Sequence, residues 1–334
     1  MKTEIFVPNK ENYEKCGALI RSGELVAFPT ETVYGLGANA LDPEAVKKVY
    51  VAKGRPSDNP LIVHVASPED VYKVARFVPE KARLVIEKFM PGSVTVVMPK
   101  RPEIPDCVTG GLDTVAVRMP SHPVALEFIK ACGVPVCAPS ANTSTRPSPT
   151  IASHVSDDLG GKIAAILDGG ACSVGVESTV IDFVGDTPRL LRAGGMPLEP
   201  LEEVIGKIRR EVKSDKPLCP GMKYKHYAPT CDVTVVYPGE EQTSKAKALY
   251  DGLASSGKKT VIMSLEGHLS EYGERNVFNV GKDAKEYAHN LFYLLRECDK
   301  EGYEAAVAEG VTPEGYGLSV MNRLVKSAGG KTVE

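Results

Sequence analysis

Short β-branched and apolar runs alternate with stretches of helical period through about the first two hundred residues, and that alternation predicts an α/β architecture with a mixed sheet. Strands are expected at 25–28, 61–66, 94–98, 114–119, 134–138, 163–167 and 179–183. Helices announce themselves by their ends. Asp42-Pro43 supplies an N-cap followed by proline at the first helical position, and Gly54 stops that helix. Ser67-Pro68-Glu69-Asp70 is close to a capping box and predicts another helix start. Helices are also expected over 79–89 and 123–132. The pattern breaks at 207–229, where apolar periodicity fades and seven Lys or Arg stand against two acidic residues. This stretch reads as a basic interdomain linker, either a solvated tether or a segment that closes over an anionic ligand, since Tyr224, His226 and Tyr227 sit among its lysines. From 230 onward the order is β-α-β-α-β-α, with strands at 232–237, 260–264 and 305–308 and helices at 242–255, 283–300 and 318–328. That order predicts a small, open, Rossmann-like parallel sheet. It has no G-x-G-x-x-G after its first strand, so a structural or regulatory domain is expected there. The expected domains are therefore 1–206, the linker 207–229, and 230–334.

Composition narrows the classes. The chain has 334 residues, long enough for two cores. Lys and Arg number 40 and Asp and Glu 43, a net charge of −3 that argues against a surface built to track nucleic acid. No run approaches the roughly 18 apolar residues of a membrane span, and the first residues lack the apolar stretch of a secretory signal, so a cytoplasmic protein with no membrane partner is expected. The eight cysteines contain no C-x-x-C pair and the six histidines no H-x-x-x-H, which fits reduced core thiols and no protein-built metal site.

Three polar motifs could carry chemistry. In PTETVYGLG (29–37), Thr30, Thr32 and Tyr34 lie two apart, so an extended segment would send their hydroxyls to one side; a glycine turn after a strand is the alternative. In AKGRPSDNPL (52–61), Lys53 and Arg55 would face one way if extended, making a phosphate site with Asn59 near; pairing with the helix C-terminal dipole is the alternative. In APSANTSTRPSPT (138–150), Ser140 and Asn142, with Arg146 and Ser148, could hold a nucleotide, or form a surface loop. Arg118 ends an alternating strand that begins at Thr114, as a site residue or an edge charge. Ser178 opens a strand in VESTV, and Arg192 closes one in RAG. There is no P-loop and no nucleophile elbow, so phosphates would be gripped by side-chain cations.

Taken in order, PTETVYGLG, KGRP, PGSVT, RMPSHP, PSAN, VESTV and RAG resemble the threonylcarbamoyl-adenylate synthase family, and PGMKYKHYAP at 220–229 resembles its long, two-domain form. The resemblance covers nearly the whole chain; Lys225 stands where Arg is common. It implies a twisted, open YrdC-like N-terminal α/β domain with a large positive cavity. It implies the substrates L-threonine, bicarbonate (or CO2) and ATP, with Mg2+ held mainly by the ATP phosphates. The products are threonylcarbamoyl-AMP and pyrophosphate, and a separate tRNA threonylcarbamoyl transferase complex consumes the adenylate. Residue by residue, it implies that Thr32, His64, Arg118 and Ser178 hold threonine. Arg55, Asn59, Thr114, Ala138, Ser140, Asn142, Ser148, Arg192 and the linker His226 hold ATP, with Lys53 and Arg55 acting at the phosphates as catalytic residues. A monomer with weak or no direct tRNA binding is expected. Two competing readings are a carbamoyl-transfer enzyme of the hydrogenase-maturation type, opposed by the missing C-x-x-C, and a noncatalytic RNA-binding module, opposed by the net charge.

Overall fold

The structure is a computed structural model that describes residues 2–210, 217–220 and 226–334. Its chain contacts divide into two units, residues 1–144, 148–173 and 177–223 in one and 145–147, 174–176 and 224–334 in the other.

Among the described residues of the first unit, ten strands form one mixed sheet: β1 (Glu4–Phe6), β2 (Val26–Phe28), β3 (Gly35–Asn39), β4 (Ile62–His64), β5 (Val94–Pro99), β6 (Thr114–Arg118), β7 (Val136–Ala138), β8 (Ala165–Leu167), β9 (Thr179–Asp182) and β10 (Arg189–Arg192). Their order across the sheet is β1-β8-β2-β3-β7-β4-β6-β5-β9-β10. The helices are α1 (Lys10–Arg21), α2 (Pro43–Lys53), α3 (Glu80–Phe89), α4 (Asp106–Thr109), α5 (Pro123–Cys132), α6 (Ala152–Leu159) and α7 (Leu198–Ile205). α2 has the ends its sequence announces. The Asp42 side chain accepts from Glu44 N at 2.9 Å, and Gly54 takes the left-handed conformation at φ +60. The Ser67 motif behaves differently. Asp70 N does donate to Ser67 Oγ, at 3.3 Å, but only a 3-10 helix, Glu69–Lys73, follows, because Ala75 is drawn into a bridge with Lys100.

Strands β1 and β3 are not foreseen by the pattern. β3 is glycine-rich because it is squeezed between β2 and β7. A Cβ on Gly37 would lie 3.0 Å from Val136 Cγ1 and 3.1 Å from the Val26 carbonyl, so the glycines serve close approach rather than a positive φ. One core forms where α1 and α5 cover part of the sheet, with Cys16 and Ile20 against Phe28, Phe128, Ile129, Val136 and Leu167. A second, smaller core gathers Ile62, Val97, Ala116, Val180 and Leu191 with Cys219 and Leu218. The described part of the 207–229 stretch thus divides. Residues 207–210 and 217–220 belong to the first unit, with Leu190 N donating to Arg209 O at 2.8 Å, while 226–229 belong to the second.

The second unit carries a parallel sheet of β11 (Asp232–Val236), β12 (Thr260–Ser264), β13 (Val277–Asn279), β14 (Ala305–Glu309) and β15 (Thr332–Val333), ordered β13-β12-β14-β11-β15. Its helices are α8 (Gln242–Ser255), α9 (Ala284–Lys300) and α10 (Tyr316–Ser327). The three principal strands and three helices stand where the alternation puts them, and the short β13 and β15 extend the sheet at its edges. No helix among the described residues is long and apolar enough to cross a membrane.

Candidate active site

Strand register gathers the candidate residues. Alternate side chains of a strand share a face, and neighbouring strands align their pairs. Ile62 pairs with Ala116 and Ala138, His64 with Arg118 and Val136, Thr95 with Val180, and Val97 with Ala116. One face of β7, β4, β6, β5 and β9 therefore carries Ala138, His64, Thr114, Arg118 and Thr95, with Ser178 immediately before β9.

Arg118 is not an edge charge. It is 4% exposed, and its Nη2 donates to Glu31 Oε1 at 2.6 Å. Its Nε is buried with no hydrogen-bond partner, an arrangement that a ligand would complete. Beside it, His64 is buried, makes an edge-on contact with the Phe28 ring at 5.8 Å, and has Nδ1 3.1 Å from the Ile62 carbonyl. Burial, and then the Arg118 charge, push its imidazole down to about 3, so it is neutral at ordinary pH. The Ser178 and Thr95 hydroxyls meet at 2.7 Å.

Thr30 and Thr32 do bring their hydroxyls together, at 2.8 Å, but through a bend and not an extended strand. Thr30 Oγ1 receives the Thr32 and Val33 amides at 3.1 and 3.2 Å and donates to Val33 O at 2.7 Å. Tyr34 does not share that side. Its hydroxyl donates to the Gly170 carbonyl at 2.7 Å.

The paired cations also differ from expectation. Lys53 is the last residue of α2 and Gly54 turns left-handed, so 53–55 is not extended. The Lys53 ammonium is 2% exposed and caps the Ser140 and Asn142 carbonyls, each at 2.5 Å. It holds the 140–144 loop, which returns Ser144 N to the Lys53 carbonyl at 2.9 Å. Arg55 instead donates from Nη2 to Asn59 O at 3.3 Å and Pro60 O at 3.2 Å, and Asn59 Oδ1 is buried with no partner. Ser140 Oγ donates to Asn142 Oδ1 at 2.5 Å. Ser148, fully buried, donates to Glu177 at 2.6 Å. Thr114 is half-buried at the start of β6.

Arg192 lies across Ser178. Its Nε and Nη2 donate to the Ser178 carbonyl at 3.1 and 3.0 Å, Nη2 reaches Ser178 Oγ at 3.2 Å, and Nη1 reaches Pro220 O at 3.3 Å. The glycine of RAG is required for this crossing, because a Cβ on Gly194 would lie 2.2 Å from the Glu177 carbonyl. His226 belongs to the second unit, where its ring lies 5.5 Å from that of Tyr227. Tyr227 is held at φ +65 against Phe292 and the Arg323 guanidinium. Lys223, Tyr224 and Lys225, on which the lid expectation rests, lie outside the described residues. Sequence reasoning misses Glu31, Thr95 and Glu177. All three stand inside motifs already quoted, PTET, PGSVT and VEST, and Thr95 shares its strand face with Val97.

A mixed α/β sheet whose polar face holds the buried Arg118 guanidinium and the Thr95 and Ser178 hydroxyls, with buried Lys53, Asn59 and Asn142 in the segments that adjoin its strands, defines a protein suited to binding anionic small molecules. Two family models match the chain, "Telomere recombination" (Sua5, YciO and YrdC proteins) over residues 18–194 and "Threonylcarbamoyl-AMP synthase, C-terminal domain" over 196–329. The threonylcarbamoyl-AMP synthase of Pyrococcus abyssi is 50% identical over 323 residues, covering 94% of this chain and 93% of the relative. That of Bacillus subtilis is 43% identical, covering 99% and 97%. A crystal structure of P. abyssi Sua5 complexed with L-threonine superposes with a TM-score of 0.94 at 46% identity, over 100% of this chain and 99% of that one. The chain belongs to the threonylcarbamoyl-AMP synthase family.

Proposed function

We propose that this protein makes threonylcarbamoyl-AMP and pyrophosphate from L-threonine, bicarbonate and ATP, as the first stage of a tRNA modification. The observation that carries the substrate assignment is Arg118, a buried guanidinium satisfied on one side by Glu31 and left with an unpartnered Nε. Such a group suits the planar carboxylate of an amino acid, which accepts two parallel N–H bonds. Thr32, His64 and Ser178 would complete the threonine half. Arg55, Asn59, Thr114, the backbone at Ala138, Ser140, Asn142, Ser148 and Arg192 would hold the nucleotide. Lys53 would act through the 140–144 loop whose carbonyls it caps.

The chemistry asks little of acid–base groups. The threonine amine takes up carbon dioxide from bicarbonate to give a carbamate, with water released. A carbamate oxygen then bonds to the α-phosphorus of ATP, and the bond to the bridging oxygen breaks with its electron pair leaving on pyrophosphate. The nucleophile is already anionic, so the site's work is to bring two anions together and to stabilise charge at phosphorus. Mg2+ enters as part of the substrate, on the ATP phosphates, where it would neutralise the leaving group.

The test is pyrophosphate release with ATP, Mg2+ and bicarbonate, with and without L-threonine. Release that needs both threonine and bicarbonate is the expected result. Release that ignores threonine would discard the reading, and salt-sensitive tRNA binding in its place would favour an RNA-binding role.

A further inference from the structure

We infer that Glu31 is a positioning residue for the amino-acid half of the site, holding the Arg118 guanidinium so that it meets a substrate carboxylate already desolvated and already aimed. The inference rests on the assignment of Arg118 to the threonine carboxylate made above. Glu31 is 6% exposed, and both its oxygens are engaged from separate stretches of chain. Oε1 accepts from Arg118 Nη2 at 2.6 Å, at the end of β6, and from Ser93 Oγ at 3.2 Å, just before β5. Oε2 accepts the backbone N–H of Ser121 at 3.0 Å, in the turn leading to α5. Three donors fix the carboxylate in place and orientation, and the carboxylate in turn fixes the arginine.

The consequence follows from the shape of a guanidinium. Its donors form a rigid planar fork, so engaging one N–H sets the direction of all the others. With Nη2 committed to Glu31 and Nε unpartnered, the Nε side of the fork remains for a ligand. An arginine without Glu31 would have to be ordered by the substrate itself, and its charge would be buried with no counter-ion whenever the site is empty. Glu31 also stands between Thr30 and Thr32, whose hydroxyls are tied together at 2.8 Å. The same residue therefore keeps Thr32 and Arg118 in register, although they come from distant parts of the chain.

Glu31→Gln is the test, with Arg118→Gln as reference. The amide keeps the shape of the side chain and one acceptor, but not the charge. Expected is a rise of tenfold or more in KM for L-threonine, with kcat lowered less than threefold and KM for ATP unchanged. In the double variant Glu31→Gln with Arg118→Gln, KM for threonine should equal that of Arg118→Gln alone, because Glu31 acts through the arginine. A loss of kcat and of thermal stability with KM for threonine unchanged, equal rises in both KM values, or additive effects in the double variant would each overturn the inference. If Arg118→Gln itself leaves KM for threonine unchanged, the carboxylate assignment is what fails. Should Glu31→Gln not fold, Ser93→Ala removes a donor from the same oxygen. A rise of two- to threefold in KM for threonine alone is then expected, and no change overturns the inference.

Discussion

Burial keeps His64 neutral, and neutrality has a cost in acid. Its folded value is about 3, whereas an unfolded histidine titrates near 6.5. Between those limits the unfolded chain binds a proton that the folded protein refuses, so stability falls as pH falls through the window, by up to about 1.4 kcal/mol per pH unit. Above about pH 6.5 the contribution is complete. His64→Gln should flatten this part of a plot of urea midpoint against pH, and an unchanged slope would assign the acid sensitivity to other groups. Lys53 makes a second residue-scale case. Its ammonium, set between two carbonyls at 2.5 Å, fits as a compact donor where a planar fork would not. Lys53→Met should lower kcat/KM for ATP by tenfold or more, about 1.4 kcal/mol of transition-state stabilisation. Lys53→Arg should not restore it. Wild-type kinetics in Lys53→Met would remove the loop-holding role from the reaction.

Elements whose limits are set by neighbouring residues are legible in sequence. α2 begins at a side-chain cap and ends at a left-handed glycine, and Asp42→Ala should cost about 1 kcal/mol in chemical denaturation. β3 is not legible, because glycine argues against a strand until the partners on both sides are known. Its tightness is testable. Gly37→Ala would push a Cβ against Val136 and the Val26 carbonyl, and a loss of about 1–3 kcal/mol in stability is expected. A neutral result would show that the strand has room to shift. The Ser67 segment teaches the converse lesson: a good cap starts a turn, but the Ala75 bridge to Lys100 decides that the turn ends as a 3-10 helix.

For the whole molecule, the net charge of −3 coexists with the buried cations Lys53, Arg118 and Arg192 and a basic stretch at 207–229. Phosphate-backbone affinity scales with the number of exposed cations, so this balance favours a single small anion over a polynucleotide. Unmodified tRNA at micromolar concentration should therefore leave the rate of pyrophosphate release unchanged at low salt. Inhibition that fades as salt rises would instead reveal an RNA-binding surface.

Sequence alone determined the α/β class, the alternation of strands and helices in both units, the limits of α2 and the set of polar motifs, because each depends on residues within a few positions of one another. It also supplied the family, through the order of those motifs. Tertiary structure alone decided what the motif residues touch. Arg118 and Glu31 stand 87 residues apart, and Lys53 and Ser140 also stand 87 apart. Such pairs are created by the strand order β2-β3-β7-β4-β6, which local propensity does not encode. For the same reason Glu31, Thr95 and Glu177 emerge only in the fold: a buried carboxylate or hydroxyl is defined by the donors that other strands bring to it.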